Sequence, residues 1–329
     1  MNENNILYIV VPCYKEQEVL PETSKRLRAK LQELMAAGTI SEKSRVMFVN
    51  DGSSDDTWPI ISRLHEQEPD IFSGVNLSRN RGHQNALLAG LMTAVNYADM
   101  IVSMDADLQD DINAVDGMVD AYHEGFEVVY GVRNKRETDT FFKRFTAEGF
   151  YKVMQALGVN IVFNHADYRL MSRRAVEGLA SFTEVNLFLR GIVPQIGYKW
   201  TTVEYARAER FAGESKYPLK KMLAFAADGI TSFSVKPIRF VLTAGVIVFV
   251  ISLFMLLYAL ISKILGHTSA GWTSLMGSIW LIGGIQLLSL GVVGEYIGKI
   301  YNETKRRPRF IIERYLNAEG DDPVVDTTK

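Results

Sequence analysis

The chain has 329 residues, of which 47% are hydrophobic and 22% are charged, so it is long enough to bury the core of one or two domains. Its formal net charge of -2 argues against a nucleic-acid-binding protein, because such proteins normally concentrate an excess of Lys and Arg on one face. The single cysteine, Cys13, excludes an internal disulfide and a cysteine-based zinc site, and we interpret it as a packing residue.

The first two hundred residues alternate apolar, β-rich runs with helical patterns. Strands are predicted at ILYIVVP, SRVMFVND, FSGVNLS, MIVSMDAD and EVVYGVR, and helices near residues 18–36, 57–66 and 84–98. The first apolar run is too short for a secretory signal, so we expect this part of the chain to stay in the cytoplasm. The alternation predicts an α/β fold with a mostly parallel sheet, which binds its ligands beyond the carboxyl ends of the strands.

The last third of the chain contains two uncharged runs, at residues 240–261 and 272–293, joined by a polar link at 262–271. Each run is long enough to cross about 30 Å of hydrocarbon. Basic residues cluster on both sides of the pair, whereas the link holds only Lys263, so the pair is predicted to be a transmembrane hairpin with both termini cytoplasmic. The alternative, two buried helices of a soluble domain, is disfavoured because neither run has a polar stripe.

These features divide the chain into four predicted regions. They are a cytoplasmic domain (1–216), an amphipathic juxtamembrane segment (217–237), the two transmembrane helices (238–297) and a cytoplasmic tail (298–329). The juxtamembrane segment has an alternative interpretation as a surface helix of the first domain. The acidic end of the tail, EGDDPVVDTTK, is expected to be disordered.

Polar motifs follow the predicted strands. The second strand ends in NDGSSDDT, where Asp51 can accept hydrogen bonds from a base or ribose; alternatively, this motif only caps a helix. The fourth strand leads into a D-x-D sequence, Asp105 and Asp107. Hard cations such as Mg²⁺ bind through one or two carboxylates plus substrate phosphates, so this pair predicts a metal shared with a diphosphate. The alternative is a solvated acidic loop.

Five motifs, VPCYKE, VNDGSSDDT, LSRNRGHQNALLAG, MDADLQD and HADYRLMSR, occur in this order. They resemble those of the inverting family 2 glycosyltransferases, which have the nucleotide-diphospho-sugar transferase (GT-A) fold, and the resemblance covers the whole cytoplasmic domain. With the hairpin and the sequence RFAGESK, the chain is similar to bacterial polyprenyl-phosphate glycosyltransferases of the bactoprenol glucosyltransferase type, relatives of dolichol-phosphate mannose synthase. The resemblance implies inverting transfer of one sugar, with UDP-glucose as first choice of donor, to undecaprenyl phosphate at the inner membrane.

The resemblance also implies a role for individual positions. The nucleotide-sugar would be held by Pro12, Tyr14, Glu16, Asp51, Asp105, Asp107 and Gln109. A Mg²⁺ or Mn²⁺ ion would bind Asp105 and Asp107, and the catalytic residues would be Asp107 and Asp167. The lipid and donor phosphates would bind Arg133, Lys143, Arg144, Arg210, Ser215 and Lys216. Asp167 either takes a residual phosphate proton or orients a basic group or the metal, and we favour orientation.

The sequence departs from the family pattern at a few positions. Asn50 stands where many relatives have a second acidic residue, and Asp111 and Ile112 stand where many have prolines. His83 and His165 are interpreted as surface histidines rather than phosphate ligands.

Several alternatives stay open. The donor sugar can instead be an N-acetylhexosamine, mannose or aminoarabinose. A processive polysaccharide synthase is disfavoured because the sequence has neither a Gln-x-x-Arg-Trp motif nor further predicted spans. A noncatalytic membrane scaffold with this fold can be distinguished from an enzyme only by an activity assay. Small residues in the second span permit close helix packing, and from the resemblance we expect a homo-oligomer, with a tetramer as the first expectation.

Overall fold

The computed structural model describes residues 5–133, 165–185, 188–206 and 271–317, together with scattered positions between 238 and 261. Contacts divide the chain into two compact units. The first unit holds a sheet of eight strands with its helices, and the second holds the described positions between 238 and 306.

The sheet of the first unit has the strand order β7-β5-β6-β4-β1-β2-β3-β8. The strands are β1 (Leu7–Cys13), β2 (Arg45–Asn50), β3 (Phe72–Leu77), β4 (Met100–Ser103), β5 (Val128–Arg133), β6 (His165–Ser172), β7 (Trp200–Tyr205) and β8 (Ile312–Leu316). Of the seven neighbouring pairs, four are parallel, namely β1 with β2, β1 with β4, β2 with β3, and β5 with β7. The α/β fold with a mostly parallel sheet is thereby confirmed.

Helices cover the sheet where apolar residues recur at helical spacing. They are α1 (Leu20–Ala36), α2 (Thr57–Gln67), α3 (His83–Ala94), α4 (Ala114–His123), α5 (Arg173–Ala180) and α6 (Leu189–Ile192), the last followed by a 3₁₀ turn (Val193–Ile196). The five strands and three helices predicted in the first 133 residues agree with these bounds to within about four residues, whereas α4 was not predicted. The core forms because strands such as β1, in which all seven residues are buried, pack against the apolar faces of the helices.

Three strands were not predicted from the sequence. Strand β6 pairs antiparallel with both β4 and β5, and β7 extends the sheet beyond β5. Strand β8 comes from the predicted tail and pairs antiparallel with β3, with Val75 opposite Tyr315. The C-terminal segment therefore belongs to the sheet of the first unit.

The second unit contains the long helix α7 (Trp272–Thr304), and all described positions between 238 and 261 are helical as well. Within the part of the chain that the structure describes, no helix combines the length and the apolar composition needed to cross a bilayer. The juxtamembrane segment 217–237 and the acidic end of the tail lie outside the described residues.

Candidate active site

The first two sequence motifs meet at the carboxyl ends of β1 and β2. The Ser53 hydroxyl accepts the Lys15 N–H at 3.0 Å, and the Thr57 hydroxyl accepts the Glu16 N–H at 3.0 Å. Pro12 is buried within β1, whereas the Tyr14 side chain is 40% exposed at the end of the strand. The two motifs thus form one surface on which an aromatic ring is open to a ligand.

Asp51 holds the loop that carries the third motif. Its two carboxylate oxygens accept the N–H groups of Arg81 and Gly82 at 2.7 and 2.9 Å, and the residue is buried. A direct contact between Asp51 and a nucleoside stays a prediction, because the described bonds engage both oxygens with the protein backbone.

Gly52 is required at this junction for two reasons. Its φ is +60°, a conformation that residues with a Cβ rarely adopt. A Cβ there would also lie 2.5 Å from the backbone carbonyl carbon of Arg79. The close approach of the two loops therefore depends on the missing side chain.

The D-x-D carboxylates lie just beyond the end of β4, at the same edge of the sheet. Asp105 and Asp107 are both partly exposed, and Asp107 Oδ1 accepts the Gln109 N–H at 3.2 Å. Between them and Asp110 the chain turns through Leu108, whose φ is +57°. The predicted donor residues are thus brought to one edge of the sheet, as the positions of their strands require.

His83, the first residue of α3, lies between two carboxylates of this edge. Its Nε2 atom is 3.5 Å from Asp105 Oδ1 and 3.6 Å from Asp167 Oδ2. Burial lowers the pKa of His83, but the bond with Asp167 and the charges of Asp105 and Asp167 outweigh it and raise the pKa to about 9. The His83 side chain is 38% exposed, as a surface histidine would be, but its ring lies between two carboxylates of the candidate site, which the sequence interpretation did not include.

Asp167, in β6, is the centre of a network of basic groups. Arg190 donates to both its oxygens, from Nε to Oδ1 at 3.2 Å and from Nη2 to Oδ2 at 3.0 Å, and Arg169 Nη2 donates to Oδ1 at 2.9 Å. Burial raises the pKa of Asp167, but the charges of Arg190 and Arg169 and the bond with His83 hold it well below its usual range. Asp167 is therefore an ionised, oriented carboxylate.

Arg190 and Arg169 were missed by the sequence analysis. Arg190 is the only charged residue in the run VNLFLRGIV, and Arg169 stands two residues after Asp167 in the strand HADYRLMS. Residues two apart in a strand lie on the same face, so this spacing is the signal that places Arg169 beside Asp167. For Arg190 the signal is a single charge in an otherwise uncharged run, because such a charge normally has a partner. The α6 turn that carries Arg190 is fixed because Gln84 Oε1 accepts the Leu189 N–H at 2.9 Å.

Arg133, predicted to bind phosphate, lies at the end of β5 and faces Asp110. Its Nη2 atom is 3.2 Å from Asp110 Oδ1, and its Nε donates to the Tyr205 hydroxyl at 3.1 Å. The other residues predicted to bind the acceptor lie outside the described residues: Lys143, Arg144, Arg210, Ser215 and Lys216. Their roles stay predictions.

The D-x-D carboxylates provide oxygen ligands of the type that a divalent cation prefers. Burial and the charges of Asp167, Asp110 and Asp107 raise the pKa of Asp105, and the charge of His83 opposes this rise. Among the described residues, no three His, Cys, Asp or Glu side chains lie close enough together to hold a metal ion alone. Two carboxylates with substrate phosphates as the remaining ligands are the arrangement typical of Mg²⁺.

The fold and these motifs define a glycosyltransferase. The model of the family "Glycosyl transferase family 2" matches residues 8–179, and the model "GtrB C-terminal hairpin" matches residues 236–300. The chain belongs to glycosyltransferase family 2, and its sheet unit has a GT-A-like fold.

Similar proteins span nearly the whole chain. It is 52% identical to the uncharacterized glycosyltransferase YkoT of Bacillus subtilis, over 97% of this chain and 94% of that protein. It is 40% identical to the prophage bactoprenol glucosyl transferase homolog of Escherichia coli, over 93% of this chain and 98% of that protein. Among solved structures, glucosyl-3-phosphoglycerate synthase from Mycobacterium tuberculosis matches with a TM-score of 0.40 and 16% identity, covering 69% of this chain and 78% of that chain.

Proposed function

We propose that this glycosyltransferase moves one glucose residue from UDP-glucose to undecaprenyl phosphate, with inversion, at the cytoplasmic face of the membrane. The observation that carries the proposal is the cluster at the carboxyl edge of the sheet, where His83 lies between Asp105 of the D-x-D pair and the ion-paired Asp167. The acceptor is inferred from relatives named bactoprenol glucosyl transferase, to which the chain is 38 to 40% identical over 93% of its length.

On the donor side, the nucleoside would lie on the surface formed by the ends of β1 and β2, against the exposed ring of Tyr14. The diphosphate would lie beside Asp105 and Asp107 and share a Mg²⁺ or Mn²⁺ ion with them. When bound, that ion would supply Lewis-acid stabilisation of the departing diphosphate. The partial exposure of both carboxylates supports this placement.

The reaction itself needs positioning more than deprotonation, because a lipid phosphate is already anionic near neutral pH. One of its oxygens forms the bond to the anomeric carbon of the sugar. The bond between that carbon and the donor phosphate oxygen breaks, and its electron pair leaves with UDP. Attack on the face opposite the leaving group inverts an α-linked donor to a β-linked lipid phosphosugar.

Asp167 would orient the reacting groups rather than accept a proton. A general base works best when its pKa lies near the operating pH, whereas the pKa of Asp167 is held well below its usual range. Its bonds to Arg190 and Arg169 also fix the carboxylate, which would place its negative charge and the His83 ring at the sugar. This arrangement supports the orienting role.

The second unit would anchor the enzyme in the inner membrane as a two-helix hairpin, with the sheet unit and both termini in the cytoplasm. The uncharged runs at 240–261 and 272–293 and the match to the hairpin family support this placement. The small residues of the second run would allow homo-oligomers, with a tetramer as the first expectation. Light scattering of the detergent-solubilised protein measures this state, and a monomer would contradict it.

The experiment is an assay of the detergent-solubilised protein with Mg²⁺, a short polyprenyl phosphate and a panel of UDP- and GDP-sugars, following both lipid-linked sugar and released nucleotide. Transfer of a single residue from UDP-glucose is the expected result. Transfer from another donor alone would contradict the glucose assignment, and a polymeric product would contradict single transfer. Released nucleotide without lipid product would support the donor site and contradict polyprenyl phosphate as the acceptor. No reaction across the panel would favour a noncatalytic scaffold.

A further inference from the structure

A mostly buried cluster lies at the end of the D-x-D loop and is formed by Asp110, Arg133, Tyr168 and Tyr205. The Tyr205 hydroxyl donates to Asp110 Oδ1 at 2.5 Å, and Arg133 Nη2 lies 3.2 Å from the same oxygen. Arg133 Nε donates to the Tyr205 hydroxyl at 3.1 Å, which closes a triangle of three side chains. The Asp110 side chain is only 1% exposed, so its charge depends on these partners.

This cluster fixes the far end of the loop that carries Asp105 and Asp107. The near end of the loop follows β4, which is paired on both sides. At the far end, Asp110 is held by the triangle, and the Tyr168 hydroxyl donates to the Asp111 carbonyl at 2.9 Å. Leu108, between these two anchors, has a φ of +57°, a conformation that is strained for a non-glycine residue and persists only where its surroundings fix it.

The same geometry commits Arg133 to the loop. Its side chain is 21% exposed, and its charge is the described cationic partner of a buried carboxylate. If the guanidinium turned away to bind a lipid phosphate, the Asp110 carboxylate would lose that partner, which is costly for a buried charge. Arg133 is thus placed to shape the loop, whereas the family resemblance implied a direct ligand of the lipid and donor phosphates.

We infer that Arg133 and Tyr205 are positioning residues of the donor site, which act through Asp110 to hold the D-x-D carboxylates in place for a cation-bound nucleoside diphosphate. This inference rests on the proposed function for the identity of the donor site. It adds that Arg133 contributes to the affinity of the metal and nucleotide and not to the affinity of the acceptor.

The test measures nucleotide binding without any acceptor. Isothermal titration of UDP, and separately of GDP, into the full-length protein in detergent is done with Mn²⁺ and again with EDTA. Tyr205→Phe removes one hydroxyl and keeps the ring, whose centroid lies 5.2 Å from that of Tyr168. We expect Tyr205→Phe to weaken Mn²⁺-dependent nucleotide binding about three- to tenfold, the usual effect of one lost hydrogen bond.

Two Arg133 variants extend the test. Arg133→Gln is expected to weaken Mn²⁺-dependent binding by about tenfold or more, and Arg133→Lys by less, because a charge is kept but the fork is lost. Binding of nucleotide in EDTA should stay the same in all variants. The matched control is Arg173→Gln, since Arg173 pairs with Asp99 at 3.3 Å at the opposite edge of the sheet and should leave binding unchanged. Thermal unfolding of each variant establishes that it is folded.

The results separate this inference from the proposed function. If Tyr205→Phe binds metal and nucleotide as the wild type does, or if Arg133→Gln raises only the acceptor KM, the positioning role is overturned. If Arg133→Gln does not fold, the nucleotide affinities of Tyr205→Phe and Arg133→Lys decide whether the positioning role holds. If the wild type itself binds neither nucleotide with Mn²⁺, the donor site of the proposed function fails, and the inference fails with it.

Discussion

Replacing Arg190 by glutamine removes the guanidinium that donates hydrogen bonds to both carboxylate oxygens of Asp167. The wild-type pair makes bonds of 3.2 and 3.0 Å, and the Arg190 side chain is 37% exposed. A hydrogen bond to a charged group is worth about 1.5–3 kcal/mol, but exposure weakens this one, and Asp167 keeps Arg169 and His83. We therefore expect a loss of about 1–2 kcal/mol in the free energy of unfolding, a fall in Tm of about 2–8 °C.

The effect on the reaction should be larger than the effect on stability. A carboxylate that can turn away from its productive orientation loses positioning, and a misplacement of about 1 Å costs on the order of 100-fold in rate. Arg190→Gln is therefore expected to lower kcat about 100-fold while the KM for the nucleotide-sugar changes little. Arg190→Lys keeps the positive charge but loses the two-pronged guanidinium contact with the carboxylate. Its kcat should therefore lie between those of the wild type and the glutamine variant.

The assay is steady-state transfer with both substrates varied, alongside thermal unfolding of the same preparations. Arg173→Gln is the matched control, because its side chain is 43% exposed and its ion pair with Asp99 lies far from the candidate site. A wild-type kcat in Arg190→Gln, or an equal loss in Arg173→Gln, would refute the reasoning.

Three further predictions concern the same site. Asp107→Ala and Asp167→Ala should each abolish transfer while the protein still unfolds cooperatively, and turnover in either variant removes the role assigned to that residue. EDTA should abolish transfer and Mg²⁺ or Mn²⁺ should restore it, whereas full activity in EDTA would exclude the metal on the D-x-D pair. Gly52→Ala should lower the free energy of unfolding by about 1–3 kcal/mol and raise the donor KM. Gly38→Ala is its control, because Gly38 has a similar φ of +67° but open space around a Cβ, and equal losses would contradict the clash at Gly52.

The first five strands could be predicted because their signal is local. Buried parallel strands are nearly continuous apolar runs, and β1 and β2 fit that description residue by residue. Their order along the chain also placed the D-x-D pair at the carboxyl edge, since a strand direction fixes which end a following residue occupies.

Strand β8 could not be predicted, because periodicity identifies a strand but not its partner. The strand has only five residues, IERYL, and they alternate irregularly between buried and exposed. It pairs with a strand more than 230 residues earlier in the chain, with Leu77 opposite Ile312. The antiparallel pairing of β6 with β4 and β5 could not be predicted for the same reason.

The network around Asp167 lay outside sequence reasoning because three separate elements build it. His83 begins α3, Asp167 belongs to β6 and Arg190 lies in α6, so no spacing along the chain relates them. Motif resemblance found Asp167 alone. The role of the two partners follows only from distances across the fold, which explains why a lone histidine looked like a surface residue.

The return of the chain into the sheet at β8 sets a condition on any shortened form of this enzyme. Cutting the chain before the second unit would also delete β8. The backbone N–H and C=O groups of β3 that pair with β8, as where Gly74 lies opposite Leu316, would then be exposed. They would form an open sheet edge, which is a surface prone to aggregation. A shortened form should instead remove the second unit internally and rejoin the chain ahead of Phe310, so that β8 keeps its pairing with β3.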